Sequence, residues 1–137
     1  MGIEQIMAVS VGLLTILFLA LSLKIMGLRR AHKVPHSNET DSKAFLDAVD
    51  AQRNFERYTS YTLILFLVLM FFNADPMGFL VLNIVYVVGR AIHAYGVIVK
   101  EQSANPSLTW RMAGMKLTFL TILVSGIWIF ILKGFGW

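Results

Sequence analysis

The sequence predicts an all-α integral membrane protein, a single four-helix antiparallel bundle, and three observations carry that expectation. Long runs without any charge recur four times within 137 residues. Charged residues make up only 15% of the chain, against ~25% in an ordinary soluble domain. The charges that do occur are gathered into short segments at the ends of those runs. A soluble core of this size could not hide so much apolar surface, and the length suits one domain over residues 1–137 and not two. The absence of cysteine excludes a disulfide framework, a thiolate metal site and a cysteine nucleophile.

The first run extends from Gln5 to Leu23 and is nineteen residues long, enough to cross a bilayer alone at ~1.5 Å per residue. It predicts a helix from about Ile3 to Ile25 or slightly beyond, with Gly27 loosening its end. No basic stretch precedes it and no small-x-small cleavage site follows, so a retained helix is expected in preference to a secretory signal. A polar linker from Leu28 to Ser42 comes next. Its Asn38-Glu39-Thr40 triplet matches a glycosylation acceptor at a level chance explains, on a side where the modification is not expected.

The second helix is expected to begin near Ser42 or Lys43, with Ser42 as the cap, and its uncharged run covers Tyr58 to Ala74. The third begins after Pro76, in a run reaching Gly89, and the fourth follows Asn105-Pro106-Ser107, with Leu117 to Leu132 uncharged. These three runs are seventeen, fourteen and sixteen residues long, and they span a membrane once flanking polar turns are counted.

Charge placement predicts orientation. Lys24, Arg29, Arg30, Lys33, Lys43, Arg53 and Arg57 lie between helices one and two or at their ends, and Arg90, Lys100, Arg111 and Lys116 do so for helices three and four. Eleven of the twelve basic residues therefore fall on one side, Lys133 being the exception. The positive-inside rule puts that side in the cytoplasm and both termini outside it, in keeping with a bacterial inner-membrane location. The net charge of +4 thus reads as membrane topology, with no nucleic-acid partner expected.

Polar residues near the cytoplasmic ends carry the chemistry. On helix two, Asp50, Asn54, Arg57 and Tyr61 recur at helical spacing, flanked by Arg53, Glu56 and Tyr58. On helix three, Asn83, Tyr86, Arg90 and His93 form a second stripe, with Tyr95 beside it. Such groups are costly against lipid, so the two stripes are expected to share a bundle-interior site. The competing explanation is a set of headgroup anchors and interhelical hydrogen bonds. His32, His36 and His93 are not at metal-ligand spacing, and no metal is expected. Guanidinium groups bind carboxylates through paired donors, while Asn54 and Glu56 suit an amide and an amino group, so the implied ligand is small, anionic and peptide-like.

Three segments then carry a resemblance: Leu28-Arg29-Arg30-Ala31-His32-Lys33-Val34, Ala51-Gln52-Arg53-Asn54-Phe55-Glu56-Arg57-Tyr58 and Gly89-Arg90-Ala91-Ile92-His93-Ala94-Tyr95-Gly96. In this order they resemble the MAPEG family of microsomal glutathione transferases, leukotriene C synthase and their bacterial relatives, over essentially the whole chain. The resemblance implies a homotrimer in membrane lipids, with glutathione sites at subunit interfaces near the cytoplasmic surface. It also implies conjugation of glutathione to a hydrophobic electrophile, or reduction of a lipid hydroperoxide. By the same resemblance Gln52, Arg53, Asn54, Glu56, Arg57, Tyr58, Arg90, His93 and Tyr95 are the candidate glutathione-binding residues. Arg111 is the candidate for stabilising the thiolate, with Arg29 in reserve. Ala51, Gln52 and Asn54 match the family pattern. Arg57 stands where that pattern has Glu, Glu56 comes one residue early, Asp50 occupies a basic position, and His93 and Val97 each replace a tyrosine of the leukotriene branch. The alternative function is a nonenzymatic membrane structural or lipid-binding protein that keeps the fold.

Overall fold

The computed structural model describes residues 2–33 and 42–134. The heart of the linker, including His36 and the Asn38-Glu39-Thr40 triplet, lies outside the described residues. Four α-helices account for nearly all of the rest: α1 (Ile3–His32), α2 (Lys43–Phe71), α3 (Pro76–Tyr95) and α4 (Thr109–Gly134). A π-helical turn, Gly96–Lys100, continues α3 at its end. No strand occurs among the described residues.

Local chemistry sets the ends. Gln5 Oε1 accepts from the Gly2 backbone N–H at 3.0 Å and closes the first turn of α1. α1 runs straight through Gly27 to His32, a turn or more beyond the expected end, and stops where Lys33 takes a left-handed conformation (φ 52°). Glycine weakens a helix without ending it, and the apolar pairing of Ile25 and Leu28 with Phe45 and Ala48 of α2 supports this last stretch. Ser42 stands at the N-cap position of α2 as expected, but its side chain makes no capping bond to the α2 backbone, and its hydroxyl lies 3.2 Å from His32 Nε2. α2 and α3 are joined by a tight turn in which Asn73 is left-handed (φ 51°), Asp75 accepts from the Gly78 N–H at 2.7 Å, and Pro76 occupies the first helical turn.

Neighbouring side chains fix the arrangement. Gln52 Nε2 donates to Ser22 Oγ at 2.9 Å and the Phe18 and Phe55 rings lie 6.1 Å apart, so α1 and α2 run antiparallel. Tyr86 donates to Thr59 Oγ1 at 3.0 Å and Phe79 meets Phe66 at 5.5 Å, which makes α2 and α3 antiparallel. His93 lies against Arg111 and Gly78 against Trp128, which makes α3 and α4 antiparallel too. Round the bundle the order is α1, α2, α4, α3; α2 and α3 approach each other across the middle, whereas the backbones of α1 and α4 stay apart on opposite corners.

Exposure runs opposite to that of a soluble protein. Leu23, Ile64, Met77, Leu123 and Phe130, one or more from every helix, are more than half exposed, while Arg90, Thr62, Thr118 and Asn83 are buried. α1, α4 and the continuous rod of α3 with its π turn are each long and apolar enough to cross a membrane. α2 is not apolar enough by its own composition, although it runs the length of the bundle antiparallel to α1 and α3. It is 29 residues long, but Asp47, Asp50, Arg53, Glu56 and Arg57 crowd its first half, leaving an apolar stretch of only about 20 Å at ~1.5 Å per residue.

Between helices that face lipid, burying more apolar surface gains little, and close packing with interhelical hydrogen bonds carries the association. Both devices occur. Hydroxyls at apolar depth return to their own helix, as when Thr118 donates to the Gly114 carbonyl and Thr62 to the Tyr58 carbonyl. The Tyr86–Thr59 bond joins two helices, and the Tyr86 ring packs edge-on to Phe66. Changing Tyr86 to Phe is therefore expected to cost about 1 kcal/mol by leaving Thr59 without its donor. A lowered thermal midpoint of the detergent-solubilised protein checks this, and an unchanged midpoint would mean that the bond adds nothing net.

Candidate functional site

The end of the bundle that holds the α1–α2 and α3–α4 connections gathers the polar residues into three places. The first is a groove between α1 and α2, about 200 Å³ in volume, lined by Ile25, Arg29, Val49, Gln52, Arg53 and Glu56. Residues 49, 52, 53 and 56 share one face of α2 by helical spacing, and Arg29 is one turn beyond Ile25 on α1. Ser22 accepts from Gln52 and anchors its amide beside the groove. Arg29, Arg53 and Glu56 are exposed, so the groove offers two guanidinium groups and a carboxylate at its mouth over an apolar base. Guanidinium groups bind carboxylates through paired donors, and a carboxylate pairs with an amino group.

The second place is interior. Arg90, 1% exposed, donates from Nη1 to Asn54 Oδ1 at 3.3 Å and lies over the Phe55 ring at 5.4 Å from its centroid. No carboxylate pairs with it among the described residues, and its Nε is buried without an acceptor. A guanidinium held this way lacks a full set of hydrogen-bond partners, and its contacts to Asn54 and Phe55 tie α3 to α2. His93, equally buried, donates from Nδ1 to the Arg111 carbonyl oxygen at 3.3 Å and ties α3 to the head of α4.

The third place is the head of α4. Gly96 and Gly114 let the backbones of α3 and α4 meet: a Cβ on Gly96 would lie 2.5 Å from the Arg111 nitrogen, and one on Gly114 would lie 2.5 Å from the His93 nitrogen. Under this contact α3 winds into its π turn, a feature frequent at functional sites, which brings Glu101 back toward α4. Arg111 Nη1 reaches Glu101 Oε2 at 3.4 Å; the carboxylate side chain is 7% exposed and the arginine 40%. Tyr95 and Trp110 meet edge to face at 5.7 Å, with Lys100 near both rings. Beside them Leu108, Arg111, Met112, Met115, Lys116 and Phe119 border an outward apolar hollow of about 390 Å³.

The helix-three stripe lies as expected, with Asn83, Tyr86, Arg90 and His93 all facing the interior. The helix-two stripe does not. Of Asp50, Asn54, Arg57 and Tyr61, only Asn54 turns inward far enough to meet α3, and the other three are exposed. The inward face of α2 is set by Ala48, Ala51, Phe55, Thr59, Thr62, Phe66 and Leu69, and the polar stripe lies one residue, about 100°, round from it. Tyr58 packs on Phe119 of α4 at 5.4 Å, and Tyr95 is exposed beside Trp110. Gln52, Arg53, Glu56 and Arg29 come together in the groove; Asn54, Arg90 and His93 meet further in; Arg111 touches His93 through its backbone carbonyl, while its guanidinium turns to Glu101 on the corner opposite α1, away from the groove. Sequence reasoning missed Glu101, Phe55, Thr59 and Ser22. Glu101 had a signal, because it is the last acidic residue in the sequence and the single one between Arg90 and Arg111.

Together, four antiparallel helices, three of them long and apolar enough to cross a membrane, and polar groups collected at one end define a polytopic membrane protein. The MAPEG family model matches residues 7–131, most of the chain, and the protein belongs to the MAPEG family. Members of that family are membrane glutathione transferases or related proteins. No curated protein matches the chain.

Proposed function

We propose that this protein is a membrane-bound glutathione transferase that joins the glutathione thiolate to lipophilic electrophiles, with reduction of lipid hydroperoxides as the alternative use of the same thiolate. The observation that carries this reading is the groove in which Arg29, Gln52, Arg53 and Glu56 converge, a set suited to the carboxylates and amino group of a tripeptide. Arg111 supplies the positive field that favours thiolate over thiol, and Arg29 is the reserve for that role. In conjugation the thiol proton passes to water, sulfur forms a bond to the electrophilic carbon, and the leaving group departs with the bonding pair. The apolar hollow beside Arg111 opens outward, where a bilayer would concentrate the second substrate.

One chain holds the two halves apart, since α1 and α4 occupy opposite corners. A homotrimer resolves this, with the α1–α2 groove of one subunit meeting the Arg111 corner of the next around a threefold axis. Both termini then lie outside the cytoplasm and the polar end inside it, in the inner membrane of a bacterium.

Purified protein incubated with reduced glutathione and a simple aryl halide tests the function. Saturable glutathione binding with conjugate formation is the expected result; no saturable binding between about pH 6.5 and 8.5 leaves the structural or lipid-binding alternative. Within the groove, Arg53→Ala is expected to weaken glutathione binding by about 1–3 kcal/mol, the range for losing a charged hydrogen-bond partner. Calorimetry on the folded oligomer measures it, and unchanged affinity would remove Arg53 from the ligand's contacts.

A further inference from the structure

Glu101 is an unusual acid for this chain. Among the described residues, four of the other five carboxylates stand exposed, whereas Glu101 is 8% exposed at the end of the π turn. Its backbone N–H donates to the Gly96 carbonyl at 3.0 Å, which holds it in place, and the Gly96 contact with Trp110 and Arg111 fixes that turn against α4. One carboxylate oxygen accepts from Arg111 Nη1 at 3.4 Å, and the other, Oε1, is buried without a donor. A carboxylate half satisfied in this way is costly unless the guanidinium stays beside it, so the pair is set by the backbone and not by chance encounter of two surface chains.

We propose that Glu101 is the positioning residue for Arg111: it holds the guanidinium at the head of α4 and, by partly neutralising it, limits how much of the bound thiol ionises there. This rests on the reading of Arg111 given above. Two effects follow from the one contact. The carboxylate fixes the direction of the donor fork, which favours productive alignment. Its negative charge also subtracts from the field that a nearby sulfur feels, so the bound thiol stays more protonated than an unpaired arginine would leave it. The only bond that changes in this step is S–H, and its proton goes to water.

The test is an ultraviolet titration of thiolate in glutathione bound to the intact oligomer, run on the wild type, Glu101→Gln and Glu101→Asp. Gln keeps an oxygen to accept from Arg111 and removes the charge; it is expected to give about threefold more thiolate below the midpoint, a modest change typical of one part-exposed charge. Asp keeps the charge but draws it back from the guanidinium by one methylene, and should fall between the two. A purely structural role would lower thermal stability without moving the titration. Saturable binding with the same midpoint in all three proteins, or less thiolate in Gln than in wild type, overturns the proposal alone. Absence of glutathione binding by the wild type overturns it together with the transferase reading.

Discussion

Arg111→Leu is expected to lower the rate of glutathione conjugation on the order of 100-fold while weakening glutathione binding less than tenfold. The asymmetry follows from when the charge matters. The groove residues hold carboxylates and amide groups that are the same in ground state and transition state, whereas a cation beside sulfur acts in proportion to the negative charge that sulfur carries. Lys at the same position should recover part of the rate, since it restores charge without the planar fork. Pre-steady-state turnover with an aryl halide, set beside the thiolate absorbance of the bound peptide, separates chemistry from binding. Equal losses in both would make Arg111 a binding residue, and no loss would pass the role to Arg29. The same substitution tests where the site is assembled. When Arg111→Leu and Arg53→Ala subunits are co-expressed, random trimers should regain activity at about a quarter of their sites, because a cyclic interface can take its groove from one variant and its arginine from the other. A site contained within one chain regains nothing.

Gly114→Val is expected to abolish the folded oligomer. A Cβ at Gly114 would stand 2.6 Å from both the Gly89 carbonyl oxygen and the His93 Cβ, in addition to its contact with the His93 nitrogen. Two of these three neighbours are backbone atoms of α3, so relief requires the two helices to part, and no rotamer change will do. Losing that crossing also pulls Arg111 from His93 and Glu101. The cost should exceed about 3 kcal/mol, at the upper end of overpacking effects. Ala at this position is expected to be damaging too, though less so. Yield after detergent extraction and the thermal midpoint report the effect. A stable Val variant with wild-type oligomeric state would mean that α3 and α4 do not cross as tightly as the structure shows.

The sequence by itself determined the helices and their class. Four uncharged runs, the Asp75-Pro76 start of α3 and the Asn105-Pro106-Ser107 break before α4 are local features, and helix formation, capping and lipid compatibility depend on residues within a few positions of one another. Family membership was legible for the same reason, since its segments are contiguous. The inward helix-three stripe could be read because Asn83, Tyr86, Arg90 and His93 were the costliest residues to leave facing lipid. Only the tertiary structure decided which face of α2 turns inward, because its polar stripe and the Phe55–Thr59–Thr62 face differ by about 100° and each has a plausible amphipathic pattern. It alone decided the pairing of Glu101 with Arg111, which depends on a π turn set by backbone contact at Gly96, and the placing of α1 and α4 on opposite corners. Those outcomes come from how separate helices share space, and such steric competition between distant segments leaves no periodic trace along the chain.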